Sequence, residues 1–318
     1  MRRVVVRWVA AFVVVALAGV GSIVVLDLTA AGPGAFVGAY LDALARRDAA
    51  SALAMPGVHR GTADTQLLTA GALPGLSGIH QVDDVVHDGI HRITMDWVSA
   101  GVPGETTFEV RPAGTRFGVV PAWAFAESPL AALSLEVQNS RTFDAGDVAA
   151  RTPGVGPAEY AVLVPGVYTV SHASTFLTAD PVRITADTVG QDLSATVDVE
   201  ANAHFVHAVQ TEVDRHLREC ATQHVLFPTG CPFGEQIDNR VASTPMWTIV
   251  HDPDIRLVGA GDDVAWRVPS VPATAHLKVD VKSLFDGTMS TFDQDVPFTA
   301  SFTVTIDADD RLTITAVY

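Results

Sequence analysis

The residues whose types and spacing come closest to a chemical site lie in the last third of the chain. His216, Cys220, His224 and Cys231 follow the pattern H-x3-C-x3-H-x6-C. Imidazole and thiolate are ligands of tetrahedral zinc, so a metal site is one interpretation, although the spacing fits no zinc fold that we can justify. Cys220 and Cys231 are the only cysteines, and close cysteines usually pair in an oxidising compartment. We therefore predict a structural Cys220–Cys231 disulfide and keep the metal site as the alternative.

A second group of titratable residues lies early in the chain. It consists of three histidines among three aspartates: His80, Asp83, Asp84, His87, Asp88 and His91. Such side chains act as general acids and bases or bind metal ions, which leaves a hydrolytic site as an alternative. We favour a solvated loop between two secondary-structure elements.

The remaining candidates are weaker. His204 and His207 are expected on the surface of a helix, and His276 on the polar face of a strand, with a ligand-binding role for His276 as the alternative. The aspartates within 307–310 resemble the start of a calcium loop but lack its glycine and its terminal glutamate, so we predict a turn. No nucleophile elbow, P-loop or H-E-x-x-H motif occurs. We therefore expect no catalytic residues, no bound metal and no cofactor.

The charge and composition exclude several classes of protein. The 318 residues include 36 acidic and 20 basic side chains, which give a formal net charge of −16. A nucleic-acid-binding protein needs clustered Lys and Arg to neutralise phosphates, so we predict no nucleic-acid partner. A hydrophobic content of 48% with 18% charged residues also argues against a disordered chain.

The first thirty residues are predicted to anchor the chain. No charged residue occurs from Trp8 to Leu26, and residues 4–26 are long enough as a helix to cross a hydrocarbon core of about 30 Å. Arg2, Arg3 and Arg7 precede this stretch and are expected to keep the N-terminus in the cytoplasm. A cleaved signal peptide is the alternative, although its apolar region is usually shorter. We expect a single-pass protein of the cell membrane whose bulk is extracytoplasmic, with the bilayer as partner of residues 4–26.

The elements that follow must position any site. Apolar residues at helical spacing from Phe36 to Leu44 predict an amphipathic helix of about 15–20 residues that ends near Pro56-Gly57. Alternation predicts a half-buried strand over 90–98, and Pro112-Ala113-Gly114 predicts a hairpin turn. Short β-rich runs between 131 and 200, separated by turn residues, are typical of a small β-sandwich.

The last segment repeats the plan of a helix followed by strands. Val206, Val209, Val213, Leu217 and Cys220 share one helical face. Alternating apolar residues then predict strands over 274–282, 298–306 and 312–318.

Two stretches resemble a known group of proteins. The Phe36–Leu44 helix with Asp48 and Ala49 after it, the anchor before it and the strands behind it resemble the NTF2-like or cystatin-like extracytoplasmic domains of Gram-positive bacteria. The stretch 163–170, Leu-Val-Pro-Gly-Val-Tyr-Thr-Val, is similar to one in envelope proteins of the TcaA type. The excess of Arg over Lys, with abundant Ala and Val, suggests an actinobacterial origin. The resemblance implies stacked modules behind one membrane helix and no catalytic set.

These observations together predict an α+β chain. We expect a cytoplasmic start and transmembrane helix in 1–30, NTF2-like helix-plus-antiparallel-sheet modules at 35–127 and 201–318, and a small all-β module at 131–200. The predicted function is non-catalytic binding or scaffolding in the cell envelope, with an envelope protein or a small ligand as partner. One alternative is an extracytoplasmic metal-dependent hydrolase that uses either histidine group, and another is a purely structural spacer.

Overall fold

The chain is built mainly from β-strands. The computed structural model describes residues 32–116, 120–261, 265–307 and 309–317. Strands account for 52% and helices for 13%, and the described residues contain three helices. The prediction of an α+β, NTF2-like fold is therefore wrong. The strands are longer and more numerous than the apolar alternation indicated, and two of the three helices are short.

A four-stranded antiparallel sheet and two helices form the first part of the structure. Helix α1 (Pro33–Ala45) begins with proline, which is favoured in a first turn, and α2 (Ala49–Leu53) is capped by the Asp48 carboxylate, which accepts from the Ser51 N–H. The sheet has the order β1-β2-β3-β4. Its strands are β1 (Leu76–His87), β2 (Ile90–Ser99), β3 (Val102–Arg116) and β4 (Val120–Phe125).

This sheet corrects three of the expectations. The predicted single helix ends early, because Arg47 has a φ of 56° and separates α1 from α2. The histidines and aspartates of 80–91, predicted to lie in a solvated loop, lie in the edge strand β1, the turn after it and the start of β2. Strand β1 lacked apolar alternation because it is exposed along almost its whole length. The predicted turn at Pro112–Gly114 is a β-bulge within β3, between Pro112 and Thr115. The strand predicted over 90–98 is confirmed as β2, with Ile93, Met95 and Trp97 buried.

Residues 130–201 form two facing sheets around one apolar core. One sheet has the order β12-β10-β9-β6-β7 and the other the order β11-β5-β8, in which β11 runs parallel to β5. The strands are β5 (Leu130–Gln138), β6 (Thr142–Ala145), β7 (Val148–Arg151), β8 (Ala158–Leu163), β9 (Gly166–Ala173), β10 (Leu177–Ala186), β11 (Asp192–Asp198) and β12 (Glu200–Ala201).

The rest of the chain packs one long helix against a fourth, six-stranded sheet. Helix α3 (Ala203–Ala221) buries Phe205, Val209, Val213, Leu217 and Cys220, which confirms the predicted apolar face except for the partly buried Val206. The sheet is dominated by the hairpin of two 18-residue strands. Its strands are β13 (Arg240–Val241), β14 (Met246–His251), β15 (Val258–Gly259), β16 (Ala265–Lys282), β17 (Met289–Ile306) and β18 (Leu312–Ala316).

Buried hydrogen bonds join the first part of the structure to the middle part. The Tyr40 hydroxyl donates to the Val164 carbonyl at 2.7 Å, and the Ser99 hydroxyl accepts from the Val167 N–H at 3.0 Å. A Cβ on Gly166 would collide with the Pro74 ring, so only glycine allows this close approach. The stretch 163–170, which carried the resemblance to envelope proteins, therefore lies at this junction and its residue types have a packing explanation.

The membrane prediction concerned a part of the chain outside the described residues. The predicted span 4–26 and the orienting residues Arg2, Arg3 and Arg7 all precede residue 32. Within the described ranges, no helix is both long enough and apolar enough to cross a bilayer. The longest one, α3, has 19 residues and carries charged side chains along its exposed face. The described residues therefore do not support the prediction of a single-pass membrane protein.

Candidate ligand-binding groove

A groove of about 540 Å³, lined mainly by apolar residues, lies between α1 and strand β4 in the first part of the structure. One wall is the outer face of α1 with residues 51–56 after it, and the other wall is the start of β4. The side chains that define its shape are Ala35, Phe36, Ala39, Ala43, Met55 and Trp123. Arg46 also lines the groove and is exposed.

The groove exists because α1 has two different faces. Val37, Tyr40, Leu41 and Leu44 point into the core and are buried. On the opposite side, Ala35 and Ala39 are exposed one turn apart, and Ala43, one turn further on, lines the groove although it is buried. Residues four apart lie on one helical face, so these small side chains leave a shallow channel beside the helix. A groove with apolar walls and one cation beside it is suited to an apolar ligand that carries a negative charge.

One histidine–aspartate pair lies against a groove wall. The His91 ring contacts Trp123 edge-on, with ring centroids 5.0 Å apart. His91 Nδ1 lies 2.9 Å from Asp84 Oδ1. A neutral His91 therefore donates from Nδ1 to the carboxylate and presents Nε2 as an acceptor. No serine, threonine or cysteine of the described ranges hydrogen-bonds to that nitrogen, so the pair lacks a nucleophile partner there.

The early histidine group is divided between separate places. His80 pairs in register with Asp96 and lines a different, open recess above Trp97. His87 lies at the exposed end of β1, 3.3 Å from Asp88. His91 and Asp84 alone form a close pair near the groove. The structure does not bring the three histidines into one site.

The two cysteines are joined as predicted. The Cys220–Cys231 disulfide is confirmed, so neither sulfur is free to bind a metal as a thiolate. His216 Nε2 lies 3.1 Å from the Gly230 carbonyl, and His224 Nδ1 lies 3.1 Å from the Pro245 carbonyl. The histidines therefore bond to backbone in different directions. Among the residues with described positions, no group of three potential ligands could hold a metal ion.

His276 lies in a charged cluster on the outer face of the six-stranded sheet. Its Nδ1 is 2.8 Å from Asp295 Oδ1 and its Nε2 is 2.7 Å from Asp293 Oδ1. Both nitrogens can donate only when the ring carries a positive charge. The hydrogen bond to Asp295, followed by that to Asp293, raises the pKa of His276 above its usual 6.5. Lys278 lies 2.8 Å from Asp293 and lowers the pKa of that carboxyl.

We expect the two aspartates to stabilise the folded protein only while His276 is protonated. Because the pKa of His276 is higher in the folded state than its unfolded value of 6.5, this stabilisation is complete below pH 6.5 and is lost as the pH rises through the folded value. An NMR titration of the imidazole should therefore give a midpoint above 6.5, and Asp295→Asn should lower it. Asp280→Asn is the matched control, since the Asp280 carboxylate bonds to Thr291 instead. An equal midpoint in all three proteins would contradict this assignment.

The other predicted residues have structural roles. The His204 ring stacks on Phe176 with centroids 5.6 Å apart, and the His207 carbonyl accepts from Thr211 within α3. Asp307 Oδ1 accepts the N–H groups of Asp309 and Arg311 at 2.9 and 2.8 Å, as in a tight turn. The Asp307 carboxylate is thus used within the turn, whereas the Asp310 carboxylate accepts from the Thr175 hydroxyl at 2.8 Å.

The sequence interpretation missed the groove because it followed only the apolar face of the first helix. The repeated alanines on the opposite face were the available signal, since a row of small residues marks a helix side that lets another group approach. Trp123 gave no signal of its own, because a tryptophan in a strand is usually part of a core.

The chain matches no known family model, no curated protein and no solved structure. The resemblance to TcaA-type envelope proteins therefore stays a prediction, whereas the NTF2-like fold that it implied is wrong. The function has to be argued from the geometry of the described residues.

Proposed function

We propose that the protein is a non-catalytic binding protein whose ligand or partner occupies the α1–β4 groove. The observation that carries this proposal is the groove itself, a recess of about 540 Å³ with alanine, phenylalanine, methionine and tryptophan side chains on its walls. Recessed apolar sites with one or two placed charges are the usual form of a ligand site.

Other parts of the structure support the same proposal. The first and middle sheets are joined by buried hydrogen bonds, so the groove lies on a well-supported framework. The disulfide is typical of proteins that fold in an oxidising compartment. The metal-dependent hydrolase has less support, because the cysteine sulfurs are bonded to each other and the early histidines lie in separate places.

The probe for a first test is 8-anilinonaphthalene-1-sulfonate, which combines an apolar ring system with an anionic group. We expect the full chain to bind it with enhanced, blue-shifted fluorescence. Ala39→Trp should weaken binding at least about tenfold, because Ala39 is an exposed groove residue and an indole there fills the channel. Arg46→Gln should weaken binding less, and its effect should disappear at high salt.

The matched control is Ala50→Trp, which places the same side chain on an exposed position of α2 outside the groove. It should bind the probe as the unmodified chain does. Both tryptophan variants retain residues 1–31, so any binding of the probe there is common to them. Equal binding by the Ala39→Trp and Ala50→Trp variants would refute the groove as the binding site and favour the structural spacer.

A further inference from the structure

The end of the β16–β17 hairpin presents apolar side chains to solvent. Lys282 and Met289 form the last pair of the ladder, and residues 283–288 make the turn. Phe285 is 100% exposed, Leu284 73% and Met289 61%. An exposed cluster of large apolar residues at the end of a long hairpin has no function in the packing of its own chain.

Hydrogen bonds hold this turn in a defined conformation. The Ser283 hydroxyl accepts from the N–H groups of Phe285 and Asp286 at 3.2 and 3.3 Å. The Asp286 carboxylate accepts from the Thr288 N–H and hydroxyl at 3.1 and 2.8 Å. Gly287 has a φ of 77°, which glycine adopts without strain. Leu284 and Phe285 are therefore presented by an ordered turn, and little conformational entropy would be lost when they bind.

The charges of the turn and the groove are complementary. Asp286 carries a negative charge at neutral pH, as an aspartate ordinarily does, and its hydrogen bonds, first that to Ser283, lower the pKa of its carboxyl further. Arg46 lies beside the groove and is exposed, and no ion pair involves it within the described ranges. An aromatic and an aliphatic side chain followed by an anion thus match an apolar channel that has one cation beside it.

We propose that the hairpin turn of one chain, through Leu284 and Phe285, docks into the α1–β4 groove of a second copy. This proposal rests on the proposed function, because it names the partner that the groove binds. The turn belongs to the six-stranded sheet and the groove to the first part of the structure, so the contact is head-to-tail and leaves a free turn and a free groove at the two ends. Such contacts build chains of molecules rather than closed dimers unless the geometry closes a ring.

The small size of the contact makes the association weak. A buried aromatic side chain removes about 150–250 Å² from water, and the turn offers one aromatic and two aliphatic side chains. The contact therefore falls in the class of interfaces below about 1,200 Å², which are transient. The net charge of −16 on each copy also opposes association. Added salt should therefore first strengthen the self-association by screening this repulsion, and higher salt should weaken it by screening the Asp286–Arg46 attraction.

Photo-crosslinking of the full chain tests the contact directly. p-Benzoylphenylalanine in place of Phe285 keeps an aromatic ring at the turn, and irradiation should give a covalent dimer. Its crosslinked peptides should map to residues 32–56 or 120–123 of the second copy. The same amino acid in place of Val155, which is 77% exposed in the middle part of the chain, is the matched control. We expect at least about five times more dimer from position 285, and Ala39→Trp should remove the excess.

Two results would overturn the proposal. One is an equal dimer yield from positions 285 and 155, and the other is crosslinks that map outside the groove. A sedimentation series should also show that Phe285→Ser and Asp286→Asn each weaken self-association, since asparagine keeps the oxygen that the turn requires and removes the charge. If probe binding depends on Ala39 but no turn-dependent dimer forms, the second copy is excluded as the occupant and the groove remains a binding site. If neither is seen, the proposed function fails as well.

Discussion

Phe176→Ala should lower the free energy of unfolding by about 3–5 kcal/mol, the range observed when a buried aromatic ring is removed. Phe176 lies between β9 and β10 of the middle part, yet its ring belongs to the core of the third part. The ring is 5.3 Å from Phe205 and stacks on His204, and the Phe176 carbonyl accepts from the Asn202 N–H at 2.9 Å. Its removal would therefore leave a cavity where two parts of the molecule meet.

Urea denaturation followed by tryptophan fluorescence and far-UV circular dichroism measures this effect. A chain of this size need not unfold in one step, so the comparison is made for the transition reported by both signals. Phe285→Ala is the matched control, because the same substitution at a fully exposed position should change stability by no more than about 0.5 kcal/mol. A loss below about 1 kcal/mol for Phe176→Ala would show that the ring does not support the third core.

Several elements were predictable from the sequence because apolar and polar residues alternate with the period of an element that buries one face. Strand β2 and the later strands have one apolar and one polar face, so a period of two residues was visible and correct. Helix α3 has a single apolar stripe and was placed for the same reason. Where a face of an element is buried against one core, its sequence carries the period of the element.

The errors occurred where that condition fails. Strand β1 is exposed along most of its length, and its histidines and aspartates therefore gave no strand period. The bulge at Pro112–Thr115 uses residues that are also typical of turns, and a local pattern does not distinguish the two. Because the number and length of the strands were predicted too low, the chain resembled an α+β protein. The strands that follow α1 and α3 were nevertheless expected from the sequence.

The candidate site was less predictable than the fold for a physical reason. The groove is formed by the back of α1 and the start of β4, which are about eighty positions apart in the chain. The pairing of the two cysteines was predictable, because only 11 positions separate them and their contact depends on one short loop. Contacts such as that of Phe176 with the third core, or of Tyr40 with the Val164 carbonyl, depend on the arrangement of whole sheets.

Loss of the Cys220–Cys231 bridge should lower the free energy of unfolding by about 3 kcal/mol, the loop-closure value for cysteines 11 positions apart. The bridge joins the end of α3 to the following loop, and Cys220 is also part of the buried core. We expect the double substitution Cys220→Ala with Cys231→Ser to give this loss in urea denaturation. Dithiothreitol should lower the stability of the unmodified chain by a similar amount and leave the double variant unchanged.

Two hydrogen bonds in the same loop determine whether the loop keeps its folded shape when the disulfide is lost. Gln223 and Thr229 bond reciprocally, since the Gln223 amide donates to the Thr229 carbonyl at 3.1 Å and accepts the Thr229 N–H at 2.8 Å. The folded loop should therefore keep its shape without the bridge, and the loss should come from the greater freedom of the unfolded chain. Gln223→Ala in the double variant should then disorder residues 222–231, as measured by their amide hydrogen exchange. If the bridge alone holds the loop, exchange there will already be fast in the double variant.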